Sequence, residues 1–158
     1  MPLLLVRVDD RLIHGQVVLG WGRPLGLERI VLVDDEVAAN DWEQELYRMA
    51  VPGGIEVVFA SVADAASRLP AWHADRRRTA LLTGGIEAMG SLHAADPDAM
   101  HRINLGGIHH QPGRSERLPY LYLTDAELAF LRRLATDGAE IAAQDVPTAP
   151  RIALDALK

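Results

Sequence analysis

The stretch Val6-Arg-Val-Asp-Asp-Arg-Leu-Ile-His-Gly-Gln-Val17 joins an apolar strand to a helix through a short charged loop. The largely apolar run Leu3–Val8 predicts a buried strand that ends at Asp9, and one imidazole, His14, stands before the next apolar segment. The first turn of a helix leaves backbone N–H groups unpaired and carries a partial positive charge, so it suits an anion. This order of strand, charged loop and helix predicts an α/β fold with a site at the loop.

The loop carries side chains suited to phosphoryl transfer. An imidazole nitrogen can act as a nucleophile, and Arg11, three residues before His14, can hold phosphoryl oxygens through a forked pair of hydrogen bonds. In open α/β sheets, ligands bind at loops that follow the carboxyl ends of strands. The alternative is that His14 is an ordinary surface or packing histidine, as most histidines are. The residues alone indicate a phosphohistidine site.

The rest of the chain alternates apolar runs with helical stretches. Strands are expected at Leu3–Val8, Arg29–Asp34, Glu56–Ala60, Thr79–Thr83, His101–Leu105, Tyr120–Leu123 and Glu140–Val146. Capping pairs open three helices: Asn40 with Glu43, Ser61 with Asp64, and Thr124 with Glu127, and the helix after Ser61 is expected to end near Leu69. The helix after Asn40 has apolar residues at helical spacing (Trp42, Leu46, Met49 and Ala50), and Pro150 is expected to start a short terminal helix. Strands that alternate with helical crossovers predict a single domain over residues 1–158, a three-layer α/β/α sandwich whose mostly parallel sheet has about seven strands and helices on both faces.

Composition excludes several classes of protein. The chain has 158 residues and a net charge of −6, which argues against a nucleic-acid partner. It has no cysteine, which excludes disulfides, thiolate catalysis and cysteine-ligated zinc. No apolar stretch approaches the ~20 residues that span a bilayer, and Leu3–Val6 runs straight into charge rather than forming a signal peptide. We expect a cytoplasmic protein without direct membrane insertion.

Two other patterns point to rival sites. The acidic pair at Asp34 resembles the start of a phospho-accepting receiver domain, but a receiver also needs a lysine at a later strand end, and the only lysine is Lys158. Asp34 is therefore expected to cap a helix or to line the cleft. His109 and His110 could suggest a metal, but adjacent side chains diverge and no acid stands at ligand spacing, so no metal is expected. Without a glycine-rich nucleotide loop, no cofactor is expected either.

The motif Arg7–Val17 resembles the phosphorylation site of the IIB subunit of the mannose/fructose/sorbose family of bacterial sugar phosphotransferase systems. Three further stretches resemble the same family: Ile30–Ala38, Asn104–His109 and Val146–Thr148. The similarity extends over nearly the whole chain. An eleven-residue motif with ordered support elsewhere is far more specific than a three-residue pattern.

This resemblance implies a protein-N(π)-phosphohistidine–sugar phosphotransferase subunit. A phospho-IIA protein or domain would phosphorylate His14, on the ring nitrogen nearer the backbone, and His14 would pass the group to a sugar bound by the IIC and IID membrane subunits. Arg11 and the helix amides that begin near Gly15 are placed to meet the charge of the transition state. An alternative with the same chemistry is an orphan regulatory phosphocarrier whose His14 state signals to another protein without sugar phosphorylation. Neighbouring genes for IIC and IID would favour transport.

The remaining loop residues are expected to support this chemistry. Arg7 shares a strand face with Asp9 by the period-two rule and can add positive field. Asp9 is expected to orient His14 or Arg11 rather than to touch phosphate, which an acid repels. Asp10 is expected only to turn the loop. The opposite wall of the cleft is expected at three positions: Asp34, Gly106 and Gly107.

Overall fold

The computed structural model describes residues 3–158, with the side chain of Gln16 excepted. Its main sheet is built from β1 (Leu3–Val8), β2 (Arg29–Val33), β3 (Glu56–Ala60), β4 (Thr79–Thr83), β5 (Arg102–Leu105), β8 (Glu140–Ala143) and β9 (Ile152–Ala153), and a separate hairpin from β6 (Ser115–Leu118) and β7 (Leu121–Leu123). The seven strands of the main sheet follow the order β3-β2-β4-β1-β5-β8-β9. All neighbours are parallel except β9, which runs antiparallel to β8. The predicted α/β class with a mostly parallel sheet is confirmed.

Helices cover both faces of this sheet. They are α1 (Gly22–Leu25), α2 (Asp35–Ala38), α3 (Asp41–Met49), α4 (Val62–Ala74), α5 (Ile86–Ala95) and α6 (Asp125–Thr136), with a π-helix at Gln16–Trp21 and a 3₁₀ turn at Leu154–Ala156. One apolar cluster packs α4, α5 and α6 onto one face of the sheet. A second cluster packs the π-helix and the α2–α3 segment onto the other face. The two clusters complete the predicted three-layer sandwich.

The helix starts follow their sequence signals closely. The side chains of Asn40 and Ser61 accept hydrogen bonds from backbone N–H groups three residues on, at the starts of α3 and α4. At α6, Thr124 and Glu127 form the predicted reciprocal capping box. Gly138, which follows α6, has a φ of 109°, a value that L side chains rarely adopt.

Three elements differ from the sequence prediction. The expected strand at Tyr120–Leu123 is β7, which pairs with β6 in a hairpin outside the main sheet. The segment after Pro150 forms β9 rather than a helix directly, because the edge of β8 offers unpaired backbone groups. Helix α4 continues past Leu69 and through Pro70, and the burial of Trp72 on the same core offsets the lost backbone hydrogen bond.

The apolar stripe predicted on α3 is present, but it faces solvent. Trp42, Leu46 and Met49 are 71%, 47% and 81% exposed. The opposite side of α3 contacts the apolar cluster through Tyr47, which is half-buried. None of the nine residues of α3 is fully buried.

The connections that follow β1 and its two neighbouring strands lead to opposite faces of the sheet, which creates a crevice at the end of β1. The connection after β1 is the π-helix, which lies on one face, whereas the connections after β4 and β5 lead to α5 and α6 on the other. The loops therefore diverge at the carboxyl end of β1. A crevice of this kind is where ligands bind in open α/β sheets.

Candidate active site

The loop after β1 is pinned by backbone hydrogen bonds to both neighbouring strands. The Asp9 amide donates to the carbonyl oxygen of Thr83 and the Asp10 amide to that of Gly107, each over 2.9 Å. Leu12 is buried and has a φ of 59°, in the left-handed region that costs an L residue roughly 1–2 kcal/mol. The loop thus has one strained backbone conformation that its surroundings hold in place.

The centre of the site is the carboxylate of Asp9, which is fully buried. Its Oδ2 accepts hydrogen bonds from Nη2 of Arg7 and Nη2 of Arg11, both at 3.0 Å, and from the amide of Gly107 at 3.2 Å. Its Oδ1 accepts from Nε of Arg11 at 3.0 Å and from the Arg11 amide at 3.1 Å. Burial would raise the pKa of Asp9, but the two guanidinium groups outweigh burial and lower it. Asp9 is therefore ionised and acts as the anchor of both arginines.

Arg7 lies beneath this carboxylate and is 0% exposed. Besides Asp9, its guanidinium donates to Oδ1 of Asn104 at 2.5 Å and to the carbonyl oxygens of Gln144 and Asp145 at 2.8 and 3.0 Å. Burial lowers the pKa of Arg7, and the charge of Asp9 opposes that shift. Every one of these contacts is with the protein interior, so Arg7 is fixed where it lies.

Glycine at position 106 makes room for this arginine. A Cβ atom on Gly106 would lie 2.6 Å from Nε of Arg7 and even nearer to the rest of the guanidinium, which is closer than carbon and nitrogen can approach. The adjacent Gly107 has the same relation to Arg11, with a Cβ position 3.0 Å from Nη2. The two expected wall residues Gly106 and Gly107 therefore seat the two arginines.

Arg11 differs from Arg7 in its exposure. Its side chain is 32% exposed, and its described side-chain hydrogen bonds are both with Asp9. These bonds raise the pKa of Arg11, so its charge is permanent. Because Arg7 and the amide of Gly107 would still donate to Asp9, Arg11 can move away without leaving the buried carboxylate unpaired.

His14 stands beside this cluster with its ring largely covered. Its Nδ1 lies 3.0 Å from the carbonyl oxygen of Leu12, which can only accept, so Nδ1 carries the hydrogen in this conformation. Its Nε2 is buried without a hydrogen-bond partner and lies 3.8 Å from Oδ2 of Asp9. The His14 side chain is 18% exposed. A phosphoryl group can therefore reach Nδ1 only after the ring leaves the Leu12 carbonyl.

The helix that follows begins without a side-chain cap. Gly15 is the residue before the π-helix, it has helical backbone angles, and no side chain accepts from the first turn. The Val18 amide donates to the carbonyl oxygen of His14 at 3.0 Å, so the imidazole is carried on the first turn itself. π-helical turns are rare and are frequently found at functional sites.

Asp10 does more than turn the loop, contrary to expectation. Its carboxylate accepts from the backbone amide of His109 at 2.7 Å and lies 2.6 Å from Nδ1 of the same residue. Arg114 in turn donates to the carbonyl oxygen of His109 and forms a two-pronged pair with Glu127 at 3.0 Å. Asp10 thus ties the His14 loop to the loop after β5.

The structure brings together most, but not all, of the predicted site residues. Asp34 is the N-cap of α2, where its Oδ1 accepts from the amide of Val37 at 2.9 Å. It makes no hydrogen bond or ion pair with Asp9 or the arginines. The capping role expected for Asp34 is thus present, and its part in lining the cleft stays a prediction.

Asp145, which follows β8, is a site residue that was not predicted from the sequence. Its carbonyl oxygen accepts from Arg7 and from the indole N–H of Trp21, both at 3.0 Å. Its Oδ1 lies 3.9 Å from Nη2 of Arg7 and 3.8 Å from Nη2 of Arg11. One signal was available: like Asp9, Asp145 is an acid that follows a buried strand at its carboxyl end.

Within residues 3–158, no three His, Cys, Asp or Glu side chains are grouped so that they could hold a metal ion. In that same part of the chain, none of the helices is long and apolar enough to cross a bilayer. The arrangement that remains is a charge-compensated cluster of two arginines and two acids beside an imidazole, which suits binding of an anion rather than of a metal.

Comparison with known proteins identifies the family. A family model described as "PTS system sorbose subfamily IIB component" matches residues 3–157. The chain belongs to this family of IIB components. As a IIB component, it is part of a bacterial phosphotransferase system of the transferase class that serves sugar transport.

Individual relatives match nearly the whole chain. The N-acetylgalactosamine-specific phosphotransferase enzyme IIB component 2 of Escherichia coli (strain K12) is 30% identical over 156 residues, 98% of each chain. The sorbose-specific EIIB component of Lacticaseibacillus casei is also 30% identical and covers 95% of this chain and 91% of its own. Among solved structures, the IIBSor domain of the sorbose permease from Klebsiella pneumoniae superposes with a TM-score of 0.86 at 26% identity, covering 99% of this chain and 96% of its own.

Proposed function

We propose that His14 of this IIB component accepts a phosphoryl group from a phospho-IIA protein or domain and transfers it to a sugar bound by IIC and IID membrane subunits. The observation that carries the proposal is the cluster of Arg7, Asp9 and Arg11 beside the imidazole. Two cations beside the imidazole, Arg7 held by the protein interior and Arg11 free to turn, suit the transfer of a phosphoryl group.

In the first transfer, a ring nitrogen of neutral His14 attacks phosphorus as the P–N bond of the donor phosphohistidine breaks. Charge in this loose transition state lies on the peripheral oxygens. Arg11 is the residue proposed to meet it, because its exposed guanidinium can turn from Asp9 towards those oxygens. Arg7 stays with Asp9 and keeps that carboxylate from repelling the incoming group.

In the second transfer, a sugar hydroxyl attacks the same phosphorus, the P–N bond to His14 breaks with its electron pair returning to the imidazole, and the hydroxyl proton passes to solvent. The imidazole returns to its starting state, so His14 is a carrier and is not consumed. No metal is needed in this scheme, because the donor is already a phosphohistidine.

We assign the phosphoryl group to Nδ1 of His14 because the family resemblance implies it. In the resting conformation this nitrogen donates to the carbonyl oxygen of Leu12 at 3.0 Å. Acceptance at Nδ1 therefore includes a turn of the ring away from Leu12 and a change of tautomer, in which the proton leaves Nδ1 and is held on Nε2 so that Nδ1 has a free lone pair. We place the protein in the cytoplasm, where both partners can reach the loop.

The experiment is a two-step assay. The protein is mixed first with phospho-IIA and then with inside-out membrane vesicles that contain the IIC and IID subunits, together with N-acetylgalactosamine, sorbose or mannose. We expect a phosphoprotein in the first step and sugar phosphate in the second, and neither with His14→Ala. A phosphoprotein that forms but never yields sugar phosphate would contradict the transport role and indicate the regulatory one. Absence of any phosphoprotein would contradict both.

A further inference from the structure

Exposed large apolar side chains are confined to one layer of the molecule. Within residues 3–158, four such side chains are exposed: Leu19 at 50%, Trp42 at 71%, Leu46 at 47% and Met49 at 81%. Leu19 lies on the π-helix and the other three lie on α3, and both helices pack on the same apolar cluster. The helices α4, α5 and α6 on the other face of the sheet expose none. The layer that exposes them also carries the His14 loop.

On α3 the three side chains form one continuous stripe. Trp42, Leu46 and Met49 stand at positions i, i+4 and i+7, which lie above one another on one side of a helix. Single exposed hydrophobic residues are normal, but these three together present on the order of 400 Å², the size of the largest patches on ordinary monomers, which are often functional. The fold gains little from them, since α3 is attached to the core by its other side. We define these three residues as the α3 stripe.

The helices of the layer that carries the α3 stripe have an excess of negative charge. The π-helix and α1 to α3 carry five acidic residues against two arginines, the acids being Asp35, Glu36, Asp41, Glu43 and Glu45 and the arginines Arg23 and Arg48. Arg48 is itself paired with Glu45. The surface is therefore apolar with an acidic border, which attracts a partner that is apolar with a basic border. It would be repelled by the anionic headgroups of a lipid surface.

The α3 stripe begins at the same edge of the sheet as the His14 loop. Val33 at the end of β2 and Val8 at the end of β1 both pair with Thr83, so the two strands end side by side around β4. The chain then enters α2 and α3 and must return to the opposite edge to start the parallel strand β3. Trp42 is thus near the catalytic edge, and Met49 lies ~10 Å further from it.

From this geometry we propose that the α3 stripe is the docking surface for cytoplasmic loops of the membrane-embedded sugar-binding subunits. The inference rests on the function proposed above. Cytoplasmic loops of membrane proteins carry an excess of Lys and Arg, which complements the acidic border. A partner bound to the α3 stripe can also contact His14, because the stripe begins at the edge of the sheet where the His14 loop lies. On this proposal phospho-IIA contacts the loop at residues 9–15, and the α3 stripe acts only in the second transfer.

The test is the double variant Trp42→Gln/Met49→Gln, compared with Arg68→Gln on α4, whose side chain is 44% exposed on the other layer. With inside-out vesicles bearing the IIC and IID subunits, we expect the KM for this protein in sugar phosphorylation to rise at least ~30-fold in the double variant, because an interface tryptophan commonly contributes that much. Its rate of phosphorylation by phospho-IIA should be unchanged. Arg68→Gln should match the wild type in both steps.

A second variant tests the charge complementarity without removing the apolar side chains. Asp41→Lys/Glu45→Lys should raise the same KM and reduce its salt dependence, whereas Asp98→Lys/Asp155→Lys, which makes the same charge change elsewhere on the surface, should not. All four positions are exposed, so the fold is expected to be kept.

Several results would overturn the proposal. An unchanged KM in the Trp42 and Met49 variant would show that the membrane subunits do not use the α3 stripe. An equal loss of phospho-IIA reactivity would assign the stripe to IIA or to the fold. A wild-type dimer in sedimentation that becomes monomeric in the variant would make the occupant a second copy, and equal binding to vesicles without IIC and IID would make it lipid. A wild type that phospho-IIA does not phosphorylate would refute the proposed function itself.

Discussion

Arg7 and Arg11 both bond to the carboxylate of Asp9, yet replacing each by methionine is expected to affect a different property, either folding stability or the rate of phosphoryl transfer. Arg7 is fully buried and donates to Asp9, to Asn104 and to two main-chain carbonyl groups. Arg11 is 32% exposed, and its side chain bonds to Asp9. The first should therefore support the fold and the second the chemistry.

The contacts of the two arginines set the expected losses of stability and of transfer rate. Arg7→Met removes one partner of a buried ion pair, which typically costs ~3–5 kcal/mol of unfolding free energy, and takes the Arg7 donor from Oδ1 of Asn104 and from the carbonyl oxygen of Gln144, whereas the Asp145 carbonyl keeps Trp21. Arg11→Met breaks a partly exposed pair whose carboxylate keeps Arg7 and the Gly107 amide, so its cost should be about 1 kcal/mol or less. Its rate of phosphoryl acceptance should fall ~10²–10³-fold, as when one transition-state contact is removed.

Urea unfolding followed by circular dichroism measures the first quantity, and rapid-quench phosphorylation by phospho-IIA measures the second. Both variants are assayed below their unfolding transition, so that rates refer to folded protein. Equal losses of stability in the two variants, or a normal transfer rate in Arg11→Met, would refute the division of labour inferred from their burial.

Three further predictions concern the surroundings of Asp9. Gly106→Ala should displace the Arg7 guanidinium and lower the unfolding free energy by ~1–3 kcal/mol in urea titrations, whereas an unaffected protein would mean that the arginine moves freely. Burial would raise the pKa of Asp9, but Arg11 and Arg7 lower it overall. The ionised carboxylate should therefore make its full contribution to the unfolding free energy above about pH 4, the ordinary pKa of an aspartate in an unfolded chain. This contribution should be lost as the pH falls through the lower pKa of the folded state. Urea midpoints between pH 7 and 2.5 should show this acid limb, and Asp9→Asn should flatten it. Finally, unphosphorylated IIA and the membrane subunits should compete for the loop at residues 9–15, with interfaces below ~1,200 Å² and binding that weakens with salt; a stable ternary complex in a titration would contradict a shared docking face.

Much of the fold could be predicted from sequence because its determinants are local. The capping box at Thr124 and Glu127 and the buried run Ile30–Val33 each lie within a few residues, and the structure has them as expected. The hairpin of β6 and β7 could not be anticipated, because its pairing depends on where the loop after β5 folds back. The outward stripe of α3 was equally hidden, since periodicity shows that a helix has an apolar side but not what that side faces.

Part of the candidate site could likewise be predicted from the sequence, and part could not. The sequence placed Arg7, Asp9 and Arg11 within one motif, and the structure brings these side chains together. Asp145 lies more than 120 residues from that motif and joins it only through the pairing of β5 with β8. The hydrogen bond from Nδ1 of His14 to Leu12 depends on a left-handed backbone angle that no sequence pattern announces for leucine.

Direct mapping of the phosphoryl group tests the central claim that His14 is the carrier. The protein is phosphorylated by phospho-IIA, digested at alkaline pH, where phosphohistidine is stable, and sequenced by electron-transfer mass spectrometry. We expect a single acid-labile phosphate on His14, absent in a folded His14→Ala variant. Phosphate on His109 or His110, or undiminished phosphorylation of His14→Ala, would contradict the account.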